Sequence, residues 1–167
     1  MTSKRKETIQ EICINGLIAA LYVAFTVALA PVSYGPVQFR FSEVLVLMCF
    51  FNKKYSVGLT LGCLIANIFS PTAVLDIPFG TLATLIACIG IMFSKHLAIA
   101  LVFPVVVNAF IIAGELSLFG EPFWFSVLTI AAGELIVMIV GYVTVMITRS
   151  PSFYKVIKAN QNTEFKF

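Results

Sequence analysis

The sequence predicts an all-α membrane protein, a six-transmembrane-helix bundle with both termini cytoplasmic. Three observations lead there. Of the 167 residues, 60% are apolar and 11% charged, with a mean hydropathy of +1.01, whereas a soluble domain carries about 25% charged residues. The apolar residues fall into long runs divided by short polar breaks. Of the 11 Lys and Arg residues, all but Arg40 lie in alternate breaks: Lys4, Arg5 and Lys6; Lys53 and Lys54; Lys95; and Arg149, Lys155, Lys158 and Lys166. Positive charge collects on the cytoplasmic side of a membrane, so this alternation sets an even number of spans and both ends inside.

The spans are placed by the length needed to cross the hydrocarbon, about 20 apolar residues. The first runs from about Ile12 to Ala30 and stops at Pro31. The second, about Phe41 to Phe51, is short unless the preceding segment lengthens it. The third covers about Tyr55 to Phe69 and is closed by Ser70-Pro71. The fourth covers about Val74 to Phe93, the fifth about Leu97 to Leu118 and the sixth about Phe123 to Thr148. Residues 1–149 thus form one integral membrane domain, and residues 150–167 a polar cytoplasmic tail. Trp124, Tyr34 and Tyr55 fall near proposed span ends, where an aromatic belt would sit. The basic lead and apolar core of the first span suggest a signal peptide. Its length and the poor cleavage sequence Pro31-Val32-Ser33-Tyr34 favour a retained helix. The net charge of +3 follows from the inside-positive bias and does not point to nucleic acid.

Several chemistries find no support. Cys13, Cys49, Cys63 and Cys88 are spread over four spans with no C-x-x-C and no Cys/His cluster, so they read as packing residues rather than metal ligands or disulfide partners. His96, the sole histidine, adjoins Lys95 in a basic break. The chain lacks a phosphate-binding P-loop, a zinc-protease H-E-x-x-H and a G-x-S-x-G elbow. No cofactor is implied.

The informative residues are polar ones on the outer half. Gln38, Arg40 and Glu43 straddle the first outer loop and the second span. Asn67 lies near the outer end of span three, Asp76 opens span four, Asn108 is mid-span five, Glu115 lies nearer its outer end, and Glu134 is deep in span six. A helix starting at Pro122 carries Glu134 about 18 Å down, near the bilayer midplane, where a carboxylate costs about 2.5–3.5 kcal/mol. Such an acid faces a cavity or a partner. One reading is a ligand site open to the outside; the other is a protonated Glu134 bonded to Asn108 or to backbone. For Glu43 and Asp76, a place in the first turn of a helix, favoured by the macrodipole, is a sufficient structural reason. Arg40 and Glu43, three apart, could pair with each other. In span one, Gly16, Ala20, Ala24 and Ala28 recur every fourth residue, a small-residue stripe that lets a second helix approach closely. That helix could belong to the same bundle or to a partner.

Five segments in order carry a family resemblance: Gln38-Phe39-Arg40-Phe41-Ser42-Glu43, Gly62-Cys63-Leu64-Ile65-Ala66-Asn67, the run Leu75 to Leu85 with Asp76-Ile77-Pro78-Phe79-Gly80 at its head, Pro104 to Ala109 with Asn108, and Ala132-Gly133-Glu134-Leu135-Ile136-Val137. Together they resemble the QueT family, the substrate-binding S components of energy-coupling-factor (ECF) transporters assigned to queuosine precursors. The resemblance implies six helices and a site near the outer surface. It also implies docking of the helix-one stripe on a transmembrane coupling protein driven by two ATPase subunits. The polar set suits a 7-deazaguanine: one carboxylate can accept the paired N–H groups of its guanine-like edge, Asn can read the adjacent carbonyl, and Tyr34, Phe39, Phe79, Phe123 and Trp124 offer stacking faces. The substrate-binding candidates are therefore Glu134, Asn108, Glu115, Asp76, Asn67, Arg40 and Glu43, and the partner-interface candidates Gly16, Ala20, Ala24 and Ala28. Two rivals remain at this level: a stand-alone proton-coupled transporter of a small heterocycle with Glu134 as carrier, and a small membrane enzyme using Asp and Glu.

Overall fold

The computed structural model describes residues 3–35 and 38–148. The proposed tail, residues 150–167, and the basic residues Arg149, Lys155, Lys158 and Lys166 lie outside the described residues. Within them the chain is all helical. The long helices are α1 (Ser3–Ala28), α5 (Ala73–Phe93), α7 (Val102–Ser117) and α8 (Phe123–Ile147). The shorter elements are α2 (Ala30–Ser33), a 3-10 segment (Phe41–Leu47) running directly into α3 (Met48–Phe51), α4 (Tyr55–Asn67) and α6 (Leu97–Ala100), which continues into α7.

Four helical stretches are long and apolar enough to cross a membrane: Arg5–Ala28, Ala73–Phe93, Leu97–Ser117 and Phe123–Ile147. Two shorter apolar ones, Phe41–Phe51 and Tyr55–Asn67, accompany them. Helix α1 begins well before Ile12 because its Lys-, Glu- and Gln-rich lead consists of good helix formers. It breaks at Leu29, just ahead of Pro31, which cannot donate to the preceding turn.

The two short stretches are the architectural constraint. At 1.5 Å per residue, the 13-residue α4 is about 20 Å long. Residues 41–51 would reach only about 16 Å as α-helix. The 3-10 rise of about 2.0 Å per residue over the first seven stretches them to about 20 Å. Both fall short of the roughly 30 Å hydrocarbon core. They are joined at Lys53 and Lys54, so the shortfall accumulates at the opposite end of the bundle.

Packing closes the elements into a ring. Helix α1 lies against α4, α4 against α5, α5 against α7 and α7 against α8, and the 3-10 segment bridges α8 back to α1. The core runs through Tyr22, Leu47, Cys49, Leu59, Cys63, Cys88, Ile91, Leu97, Val137 and Met138, all essentially inaccessible. Close approach depends on Gly58 and Gly62 of α4, a small-xxx-small pair that lets two helix backbones meet. A Cβ on Gly62 would stand 2.8 Å from Tyr22 Cβ and 3.0 Å from Ala19 Cα. The Gly58 N–H, in the first turn of α4, donates to Asn15 Oδ1 at 2.8 Å. Helix α1 thus turns Asn15, Ile18, Ala19, Tyr22 and Thr26 toward the bundle. Gly16, Ala20, Ala24 and Ala28 lie on the other side, all exposed, and nothing stands within 4 Å of a Cβ placed on Gly16. The stripe plays no part in internal packing; Gly58 and Gly62 provide that instead.

Candidate functional site

At the short end of the bundle the backbone is irregular, and non-helical backbone at membrane depth survives only where protein buries it or a cavity lies beside it. Here it is tied down. Tyr34 Oη donates to the Ala66 carbonyl at 2.6 Å, and the Phe39 N–H donates to the Val32 carbonyl at 3.0 Å. Gln38 adopts φ 46°, a left-handed conformation uncommon outside glycine. That turn delivers Arg40 into the interior.

Arg40, Glu43, Asn67, Asp76, Asn108, Glu115 and Glu134 are all buried, between this end and the middle of the bundle. Among the described residues, the five charged members of that set are the only charged side chains that are buried. Helical periodicity places them: Asp76, Gly80 and Thr84 share the inner face of α5; Asn108, Ile112 and Glu115 that of α7; Ser126, Ile130, Glu134 and Met138 that of α8.

The set divides into two groups bridged by Arg40. In the outer group, Asp76 Oδ2 accepts from Ser70 Oγ and, at 2.8 Å, from Thr72 Oγ1. Asp76 Oδ1 lies 4.0 Å from Arg40 Nη2. Asn67 Nδ2 donates to the Asp76 carbonyl at 2.8 Å, and the Glu115 carboxyl lies against Asp76. In the inner group, Glu43 Oε1 accepts from Tyr22 Oη, and Thr84 Oγ1 stands 3.4 Å from the same oxygen. Thr26 Oγ1 donates to Ser42 Oγ at 2.6 Å, pinning the start of the 3-10 segment to α1. Asn108 lies beside both Glu43 and Glu134. The Arg40 guanidinium centre sits 5.6 Å from the Tyr34 ring centroid, a cation–π contact. It also neighbours the absent side chain of Gly80, where a Cβ would meet Nη1 at 3.5 Å and Asn67 Nδ2 at 2.8 Å.

Arg40 therefore pairs with Asp76 rather than with Glu43, its neighbour three residues on. The first-turn position expected of Asp76 and Glu43 holds, yet both acids also have hydroxyl donors beside them. Those donors, Tyr22, Ser70, Thr72 and Thr84, carry no signal of their own in the sequence: a tyrosine in a span reads as apolar and Ser70-Pro71 as a helix stop. Of the stacking candidates, Tyr34 and Phe39 are half-buried at the site. Trp124 is 69% exposed and faces away from the site.

A cavity of about 360 Å³ opens beside this cluster, lined in part by Tyr34, Gln38, Thr72, Asp76, Ser126 and Thr129. That volume falls within the range of small-molecule sites, about 300–1,000 Å³. Ser126 lies eight residues, about 12 Å, above Glu134 on one face of α8.

A helical membrane protein with a buried acidic cluster beside a small cleft has the build of a small-solute transporter. The family model described as QueT transporter matches residues 12–150. The chain is 36% identical over 154 residues, 82% of its length and 90% of the relative's, to the queuosine precursor transporter QueT of Lactococcus lactis subsp. cremoris (strain MG1363). The chain belongs to the QueT transporter family. No solved structure matches it.

The Tyr22–Glu43 contact yields the first test. Tyr22→Phe removes a hydroxyl donor from a buried carboxylate and should cost about 1–3 kcal/mol of stability. The thermal midpoint of the detergent-solubilised chain should fall, and an unchanged midpoint would show that Thr84 alone supports Glu43.

Proposed function

We propose that the chain is the substrate-specificity subunit, the S component, of an ECF-type ABC importer. It binds a queuosine precursor of the 7-deazaguanine type at the outer face of the cell membrane. A transmembrane coupling protein and two ATPase subunits drive uptake. The observation that carries this reading is the division of labour on α1. Its inner face supplies Tyr22 to the polar cluster, while its outer face presents Gly16, Ala20, Ala24 and Ala28 with no internal role. A groove of about 510 Å³ between α1 and α4 borders that stripe, lined in part by Ile12, Asn15, Gly16, Val57 and Leu61, and gives a partner helix a channel to enter. The sequence offers no nucleotide-binding loop, so the chain depends on partners for energy.

In this reading the short helices count as spans, giving six, with both termini cytoplasmic as the basic residues require. Cysteines introduced near Ser33 and Gly120, at the exposed positions Val32 and Glu121, should react with a membrane-impermeant thiol reagent applied outside whole cells. Cysteines at Lys53 and Lys95 should stay unmodified, and the reverse pattern would overturn the orientation.

Docking through the stripe predicts that Ala24→Leu weakens assembly with the coupling module, since added bulk separates the helices. Ligand binding to the isolated chain should persist. Co-purification measures the first and calorimetry the second; normal assembly would remove the stripe from the interface.

In the binding cleft, Glu134 accepts the paired N–H groups of the guanine-like edge, with Asn108 beside it and Asp76, Glu115, Asn67, Arg40 and Glu43 around it. Glu134→Gln sets an amide N–H against a ligand N–H, an unpaired buried group worth about 1–3 kcal/mol. Affinity should drop at least about tenfold. Titration of the mutant with a panel of 7-deazapurines decides the matter, because unchanged affinity would make Glu134 structural.

A further inference from the structure

Helix α4 and the turn that follows it present Val57, Leu61, Leu64, Ile68 and Phe69 outward, all exposed. In a membrane, large apolar side chains in such positions meet acyl chains. From Val57 to Phe69 this face stands about 18 Å tall at 1.5 Å per residue, against a hydrocarbon core of roughly 30 Å. Polar groups bound it at both ends. At one end lie the exposed Lys53 and Lys54, and Lys54 is held by Glu11 of α1. At the other, Ser70 and Thr72 both donate to the Asp76 carboxylate, and Asn67 Nδ2 donates to the Asp76 carbonyl. Pro71 between those two hydroxyls cannot carry the helix onward. The height of the flank is therefore fixed by the buried polar cluster: α4 cannot gain a turn without pulling these donors off Asp76.

The far side of the ring is built to a different height. Helix α8 lies across the ring from α4 in the order of packing. It exposes Trp124, Leu128, Leu135, Ile139, Val143 and Ile147, a face about 35 Å tall. One bilayer thickness cannot match both sides. Tilting shortens the projection of every helix, so it relieves the long face and worsens the short one. What remains for the short face is a change in the lipid itself, by thinning or by a change of chain length.

We propose that the α4 flank is a lipid-selecting surface, which takes phospholipids with short acyl chains in preference to long ones, while the α8 flank makes no such choice. The inference rests on the six-span reading given above, because only a span feels the hydrocarbon thickness, and it adds a lipid partner and the face that selects it.

The chain has a single tryptophan, so an introduced one reports its own surroundings once Trp124 is replaced by Phe. Leu64→Trp and Leu135→Trp, each combined with Trp124→Phe, place the reporter on the short and the long face. Each full chain is reconstituted in brominated dioleoylphosphatidylcholine, a contact quencher, mixed with either dimyristoleoyl- or dierucoylphosphatidylcholine. Relief of quenching gives the relative affinity of the added lipid for that face. The preference for the short-chain over the long-chain lipid should be at least about threefold greater at position 64 than at position 135. Leu61→Trp serves where Leu64→Trp does not purify. A smaller difference, or a reversed one, would overturn the inference and leave the six-span reading intact. A reporter on α4 that emits as in water and escapes the quencher would overturn the six-span reading and this inference with it.

Discussion

Two helices too short for the membrane determine how the rest of this molecule is arranged. Residues 41–51 and 55–67 each extend about 20 Å, short of the roughly 30 Å hydrocarbon core, and both run from the turn at Lys53 and Lys54. One end of the ring of helices therefore cannot be filled by regular structure. Coil enters from the segments before Arg40 and after Asn67, and coil brings backbone groups that need partners away from water. The Tyr34 hydroxyl on the Ala66 carbonyl and the Asn67 amide on the Asp76 carbonyl meet part of that need. A recess with polar walls follows from the length deficit, and the acids sit where the recess makes them tolerable.

The same deficit explains why the buried charges are interlocked. Glu43 lies at the start of a 3-10 segment wedged between α1 and α8, and Tyr22 and Thr84 hold it from two directions. On the far side of that wedge Gly141 lets Leu47 and Val44 approach α8, since a Cβ there would meet Leu47 Cδ1 at 2.9 Å. Arg40 stands at the junction, within reach of Asp76, Tyr34 and the space above Gly80. A cation in that position balances several acids without closing a tight pair with any one of them.

Much of this was legible beforehand. Residues 73–93, 97–117 and 123–147 follow their apolar runs closely, because length and hydropathy alone fix a membrane helix. A polar residue inside an apolar run is conspicuous, and so the seven candidates could be named one by one. Their mutual arrangement was not legible. The pairing of Arg40 with Asp76 instead of Glu43 depends on the left-handed turn at Gln38, and the 3-10 winding of residues 41–47 on the neighbours it must reach. Tyr22 stayed hidden because an aromatic residue in a span has an apolar body and a polar tip, and only the tip matters here. The outward direction of the α1 stripe was equally undecided until Gly58 and Gly62 emerged as the small residues that serve the interior.

Helix α1 leaves little room for sequence drift on two of its sides. Between Asn15 and Ala28, positions 15, 18, 19, 22 and 26 meet the bundle and must keep their shape, and positions 16, 20, 24 and 28 form a smooth seam on the opposite side. The residues between, such as Leu17, Leu21 and Phe25, are exposed and large; lipid asks of them only that they stay apolar. Variation among natural relatives should concentrate at these intervening positions, and under the proposed docking a change at the seam should leave folding untouched while altering how the molecule keeps company with other proteins.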